Sequence, residues 1–224
     1  MSEPLPATAS SGSSGANSPA QNSPRLYLAS RSPQRQKLLR DAGYSFQIDA
    51  SDIDEENYPR DLLPAAVVVH LAKAKLAAVS PRHPDDVVLA ADTVVAFGDT
   101  ILGKPTDAEH ARQMLRLLAG TTHIVVTGVA VGRVATGFLR ADRVMSSIRM
   151  RWLTNAEIDR YVETGAWQGK AGGYGIQDAD YHAGIIPAGT DPFLKKIGGC
   201  QTNIVGLPMT LTAKLLEATG VYPG

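Results

Sequence analysis

The chain has 224 residues, 44% of them apolar, and its 22 basic and 22 acidic side chains cancel to a formal net charge of zero. That length and apolar content suit one domain with a proper core, and the absence of a basic excess argues against a nucleic-acid binder. The single cysteine, Cys200, excludes an internal disulfide and fits a reducing compartment; no apolar run approaches the roughly 20 residues of a bilayer span.

The N-terminus lacks the basic and apolar regions of a secretory signal and is poor in Arg, so a cytoplasmic, soluble protein is expected. Residues 1–24 are rich in Ser, Ala, Pro, Gly and Asn and cannot bury enough apolar surface to offset ordering entropy. They are expected to form a disordered tail before a single domain over residues 25–224.

Leu26-Tyr27-Leu28-Ala29 predicts a short buried strand. Ser32-Pro33 then opens a helix with Pro at the first helical position, Leu38, Leu39 and Ala42 along its stripe and Gly43 as its stop. A second helix is predicted from Pro64 to Val79, with Val67, Leu71, Ala74 and Ala78 as its apolar spacing. Val87 to Ala91 is a buried strand that runs into Asp92-Thr93, and Val94 to Phe97 either continues it or starts a second strand after a bend. Thr106 and Glu109 predict a capping box for a helix carrying Ala111, Leu115 and Leu118 and ending at Gly120. Ile124 to Val131 is a strand, and Val144 to Trp152 alternates as a half-exposed one. Thr154 and Glu157 form a second capping box ahead of Ile158, Tyr161 and Val162, and a last helix starts at Pro208 with Leu211 and Leu215. Strands and helices mix along the whole chain, which predicts an α/β fold with some antiparallel pairing.

Several clusters could carry chemistry. Ser30-Arg31-Ser32-Pro33-Gln34-Arg35 sits at a strand-to-helix turn, where free N–H groups, hydroxyls and guanidinium groups suit phosphate; an ordinary helix start with surface arginines reads the same way. The acidic run Asp52-Ile53-Asp54-Glu55-Glu56 is a divalent-ion ligand set or a solvated loop. Asp92 ends an apolar strand, where ligands of α/β sheets gather, although a turn Asp would look alike. The segment from Gly98 to Lys104 nearly matches a Walker A loop, but Pro105 supplies neither the hydroxyl nor the N–H after the lysine, which excludes a P-loop ATPase. Lys104 remains a candidate phosphate ligand. The glycines of Lys170 to Gln177 allow close backbone approach to a ligand, or mark a mobile surface loop. The five histidines lack metal-ligand spacing.

Taken in order, these segments resemble the Maf family of nucleotide pyrophosphatases from Leu26 to about Leu216. The resemblance rests on Leu28 to Arg35, Asp54-Glu55, Leu71 to Lys75, Asp92-Thr93 within Ala91 to Val95, Gly103-Lys104-Pro105, Thr122-His123, Thr127-Gly128-Val129, Lys170 to Gln177 and Val205 to Pro208. It implies an elongated mixed β-sheet flanked by helices, with two lobes around a central cleft. It also implies a homodimer and hydrolysis of nucleoside triphosphates to a monophosphate and pyrophosphate with Mg²⁺ or Mn²⁺. Ser30, Arg35, Glu55, Lys75, Asp92 and Lys104 match the family's functional positions. Thr93 and Gln177 match the subgroup that prefers dTTP and UTP; the subgroup for methylated guanine nucleotides has Gln and Glu there. Gln34 departs from the Arg usual in the pyrimidine subgroup, Asp178 replaces a usual Gly, and the stretch from Tyr181 to Pro192 is longer than expected.

The expected roles follow. Glu55 and Asp92 hold the metal, Asp92 is the general base for the attacking water, and Lys104, Arg35 and Lys75 stabilise phosphate charge. Ser30 donates to a phosphate oxygen, while Gln34, Thr93 and Gln177 contact substrate, the last two at the base. The alternative is a nucleotide-binding regulatory protein linked to cell division that uses the same residues with little catalysis.

Overall fold

In the computed structural model, residues 24–176 and 193–224 are described. The tail expected over residues 1–24 therefore lies outside the described residues except for Pro24, and Gln177, Asp178 and the long stretch to Pro192 lie outside them entirely. The elements in chain order are β1 (Leu26–Leu28), α1 (Pro33–Asp41), β2 (Gln47–Ile48), α2 (Pro64–Val79), β3 (Val87–Phe97) and β4 (Thr100–Leu102). They continue with α3 (Ala108–Leu118), β5 (Thr122–Arg133), β6 (Phe138–Met150), α4 (Asn155–Glu163), β7 (Leu194–Gly198), α5 (Gln201–Val205) and α6 (Met209–Glu217). Among the described residues, no helix is long and apolar enough to cross a membrane.

One seven-stranded mixed sheet has the order β2-β1-β3-β5-β6-β7, with β4 also paired to β3. β1 runs parallel to both β2 and β3, and every other pairing is antiparallel. β3 is one continuous strand through Asp92-Thr93, buried on both faces over most of its length, as its near-continuous apolar run requires. One face carries α2, through Ala72, Leu76 and Val79 against Val88, Ala90 and Ala130. On the other face the core is split. Leu89, Ala91, Val129 and Val131 pack with Leu39, Leu207 and Leu216. Val95 and Val125 instead pack with α3, α4 and Tyr174. Between the two clusters the apolar rows of β3 and β5 are interrupted by Thr93 and Thr127, which face each other in register.

The edge of β3 opposite β5 is also interrupted. β1 pairs it only from Val87 to Leu89, and β4 joins only at Val95. The stretch from Ala90 to Val94 thus has a strand on one side only, and Asp92 and Thr93 sit in that gap, pointing to opposite faces because side chains alternate along a strand.

Several local expectations need correction. α3 is capped by Asp107, whose carboxylate accepts from the His110 N–H at 2.8 Å, and not by a Thr106/Glu109 box. Thr106 donates to Asp107, and Glu109 turns to Arg112 and Arg116; a carboxylate adjacent to the helix start outcompetes a hydroxyl one residue further out. In α2 the buried face holds Val67, Val68, Leu71, Ala72, Lys75, Leu76 and Val79, while Ala74 and Ala78 are half-exposed. This helix is apolar nearly all round, so spacing alone does not choose its inner face. β6 begins at Phe138, six residues before its alternating part, and Trp152 lies beyond its end, 78% exposed. The segment from Gly98 to Lys104 holds β4, folded back antiparallel on β3, which is no phosphate-cradling loop. The capping box of α4 is present as expected, with the Thr154 hydroxyl and Glu157 carboxylate each accepting from the other's N–H.

Helix α2 lies close over β5 at Gly128. A Cβ there would overlap the Val68 carbonyl and lie 2.8 Å from the Val69 nitrogen. Gly128→Ala is therefore expected to lift α2 and to cost about 1–3 kcal/mol of stability. A urea midpoint checks the stability, and turnover should fall as well because α2 carries Lys75.

Candidate active site

The cleft of about 530 Å³ opens at the β3 gap. Ser30, Gln34, Arg35, Glu55, Lys75, Asp92, Thr93 and Lys104 all line it, so eight of the nine residues singled out from sequence converge there. Gln177, the ninth, lies outside the described residues; its neighbour Ile176 lines the cleft.

At the floor, Lys75 from α2 reaches across to Asp92 on β3. Its Nζ lies 2.6 Å from Asp92 Oδ1 and 2.8 Å from Glu55 Oε1, and the lysine and aspartate side chains are 5% and 7% exposed. Lys104 closes the row from the rim, with Nζ 2.6 Å from Glu55 Oε2. Burial alone would raise the Glu55 pKa, but the Lys75 ammonium and hydrogen bonds from both lysines outweigh it and hold Glu55 at about 2. Of the acidic run, only Glu55 enters the cleft. Asp52 pairs with Arg31, Asp54 accepts from the Glu56 N–H, and Glu56 faces Arg60.

Arg35 spans the gap from the α1 side. Its Nε donates to the Gly206 carbonyl at 2.8 Å, Nη1 to Ser30 Oγ at 3.1 Å and Nη2 to Thr93 Oγ1 at 3.1 Å. Burial pulls its pKa below the ordinary value and the Asp92 and Glu55 carboxylates partly restore it; a guanidinium stays charged throughout. Three of its N–H directions thus serve the protein, and one hydrogen on each Nη remains for a ligand. Ser30 Oγ accepts from Arg35 and from the Ser32 N–H at 3.2 Å, so its own hydrogen is free to donate. Gln34 accepts from the Ser32 hydroxyl at 3.1 Å.

The glycine segment is packed, with Gly172 to Ile176 all buried. The Gly172 N–H donates to the Gly103 carbonyl at 2.9 Å, next to Lys104. Gly172 has φ +69°, and a Cβ there would press on Val95, so only glycine lets this segment lie against β3. Tyr174 lines the cleft and is held from behind by His123, with Nε2 2.6 Å from the tyrosine hydroxyl. Sequence reasoning gave His123, Tyr174, Thr127 and Asn203 no role. Thr127 carried a usable signal, a lone hydroxyl in the apolar strand from Ile124 to Val131.

His123 is 2% exposed, and burial lowers its pKa to about 4. Its folded value lies below its unfolded one, so stability is full above the unfolded pKa and declines as pH falls toward the folded value. Between about pH 7.5 and about pH 5 the protein should lose roughly 2 kcal/mol from this group. Denaturant midpoints at the two pH values measure the loss, and His123→Gln, which keeps an acceptor for Tyr174, should remove that part of it.

Among the described residues, two carboxylates face the cleft and no group of three or more His, Cys, Asp or Glu could hold a metal. This donor set fits a hard divalent ion that completes its shell with water and substrate oxygens, the habit of Mg²⁺. It does not make an all-protein cage. Five basic side chains, Arg31, Arg35, Lys75, Lys104 and Lys170, line the cleft against the acidic Glu55 and Asp92, a balance that suits a polyanion. The cleft is also lined by apolar and aromatic side chains, Val95, Val125, Tyr174 and Ile204.

A mixed α/β sheet with a gap in the pairing along β3, opening into a cleft lined by basic and apolar side chains, defines a class of protein suited to a small phosphorylated ligand. More particularly, the chain belongs to the Maf family: the family model, described as Maf-like protein, matches residues 25–219. The dTTP/UTP pyrophosphatase of Cereibacter sphaeroides is 45% identical over 197 residues, covering 88% of this chain and 95% of that one. Those of Bacillus pumilus and Desulforamulus reducens are 42% and 40% identical over 202 and 196 residues. They cover 89% and 88% of this chain, and 98% and 97% of their own.

Proposed function

We propose that the protein hydrolyses dTTP and UTP to the nucleoside monophosphate and pyrophosphate. The observation that carries this is the row of Lys104, Glu55, Lys75 and Asp92 at the β3 gap, in a chain whose relatives are named for that activity. The triphosphate lies along the basic side chains, and the pyrimidine lies toward the apolar and aromatic ones. Asp92 accepts a proton from a water that attacks the α-phosphorus. The bond from that phosphorus to the oxygen bridging it to the β-phosphorus then breaks, and pyrophosphate departs. Lys104 and the free Arg35 hydrogens stabilise charge on the phosphates, and Ser30 donates to a phosphate oxygen. Lys75 orients both carboxylates and helps to keep Glu55 ionised.

Glu55 and Asp92 would hold Mg²⁺ or Mn²⁺, which supplies charge neutralisation and a more acidic water. With two carboxylates from the described residues, the ion would arrive with the nucleotide, as a metal-bound triphosphate. The test is pyrophosphate release from dTTP and UTP with each metal. Tight nucleotide binding without pyrophosphate would favour a regulatory binding protein, and release of orthophosphate would end the reading.

A further inference from the structure

The hydrogen bonds behind Thr93 have a fixed direction. Thr127 Oγ1 lies 2.9 Å from the Asn203 carbonyl, which can only accept, so the Thr127 hydrogen is spent there. Thr93 Oγ1 and Thr127 Oγ1 are 3.0 Å apart, and Thr93 must be the donor of that pair. Arg35 Nη2 donates to Thr93 as well. The Thr93 hydroxyl, on a residue that lines the cleft, therefore has no hydrogen left to donate and one lone pair uncommitted. Ser30, on the other side of Arg35, is its opposite: both of its lone pairs take protein hydrogens and its own hydrogen is free. Deprotonated phosphate oxygens only accept, so Ser30 can serve them and Thr93 cannot.

We propose that Thr127, buried and outside the cleft lining, is a positioning residue that fixes Thr93 as an acceptor and so selects a pyrimidine presenting a ring N3–H. This rests on the pyrophosphatase reading above. Uracil and thymine carry that hydrogen. Cytosine offers a lone pair at the same atom, which would meet the lone pair of Thr93 and leave both unpaired. Asn203 holds the relay in place: its own Nδ2 donates to the Val125 carbonyl at 3.0 Å and to Ser146 Oγ at 2.8 Å, which fixes α5 and the carbonyl that Thr127 uses.

The experiment compares binding by calorimetry and kcat/KM for UTP, CTP, N3-methyl-UTP and 3′-deoxy-dTTP in the wild type, Thr127→Val and Thr127→Ser. The wild type should prefer UTP over CTP by about tenfold or more, lose N3-methyl-UTP and keep 3′-deoxy-dTTP. Thr127→Val frees the Thr93 hydrogen to donate, so the UTP/CTP ratio should fall at least about fivefold, chiefly through tighter CTP binding. Thr127→Ser restores the relay and should restore the ratio, which a merely structural role would not require. An unchanged ratio in Thr127→Val overturns the proposal. So does a wild type that accepts N3-methyl-UTP but rejects 3′-deoxy-dTTP, since Thr93 would then face the sugar. These two wild-type arms can still overturn the proposal even if Thr127→Val does not fold. If the wild type binds the nucleotides and releases no pyrophosphate, the pyrophosphatase reading fails, and the binding ratios still judge the relay.

Discussion

Asp92→Asn should lower dTTP and UTP turnover by about 10²-fold or more, with little change in stability. The amide is nearly isosteric with the carboxylate and can still accept from Lys75, which also keeps its contact with Glu55 at 2.8 Å. What it loses is the ability to take a proton from water and the charge that would help hold a metal. Single-turnover measurements with saturating metal separate the two: a base defect persists at every metal concentration, whereas a metal defect is relieved as the concentration rises. Turnover near that of the wild type would remove Asp92 from the proton-accepting role.

Lys75→Met should be the most destabilising substitution in the cleft. The methionine fills much of the same volume, but Asp92 is then left 7% exposed without its cation. Removing one partner of a buried pair costs about 3–5 kcal/mol, far more than the loss of an exposed pair such as Lys37 with Asp41. Chemical denaturation checks this directly. Lys75→Met, Asp92→Asn should recover much of the stability while remaining inactive, because no buried charge is left unpaired. A single variant as stable as the wild type would mean that Asp92 finds another partner or stays hydrated, against its burial beside Lys75.

The two substitutions also show how differently the parts of this site could be read. Asp92 was legible because an acidic residue directly follows five apolar ones, Val87 to Ala91. Ser30 and Arg35 were legible from the Ser-Pro helix start. Lys75 stood out only through the family resemblance. Its helix is apolar almost all round, so the sequence pattern put Ala74 and Ala78 on the inner face, and the packing of α2 over Gly128 turned Lys75 inward instead. Glu55 could not be told from Asp52, Asp54 and Glu56 by local pattern, since four neighbouring acids differ only in where the loop points them. The Asp107 cap of α3 was missed for a similar reason: two adjacent residues could both cap, and a helix start is settled by which one reaches the free N–H groups first.

From the sequence alone came the α/β class, most helix bounds, and the set of residue types suited to a phosphorylated ligand. These depend on local chemistry: apolar periodicity, prolines and glycines at helix ends, and hydroxyl and basic residues at a strand-to-helix turn. The tertiary structure decided which of those residues meet. β1 leaving β3 after Leu89 and β4 joining at Val95 created the gap, and the in-register facing of Thr93 and Thr127 gave it a hydrogen-bond direction. Strand register and helix docking are set by long-range packing, and residues dozens of positions apart leave no local trace of who their partner is.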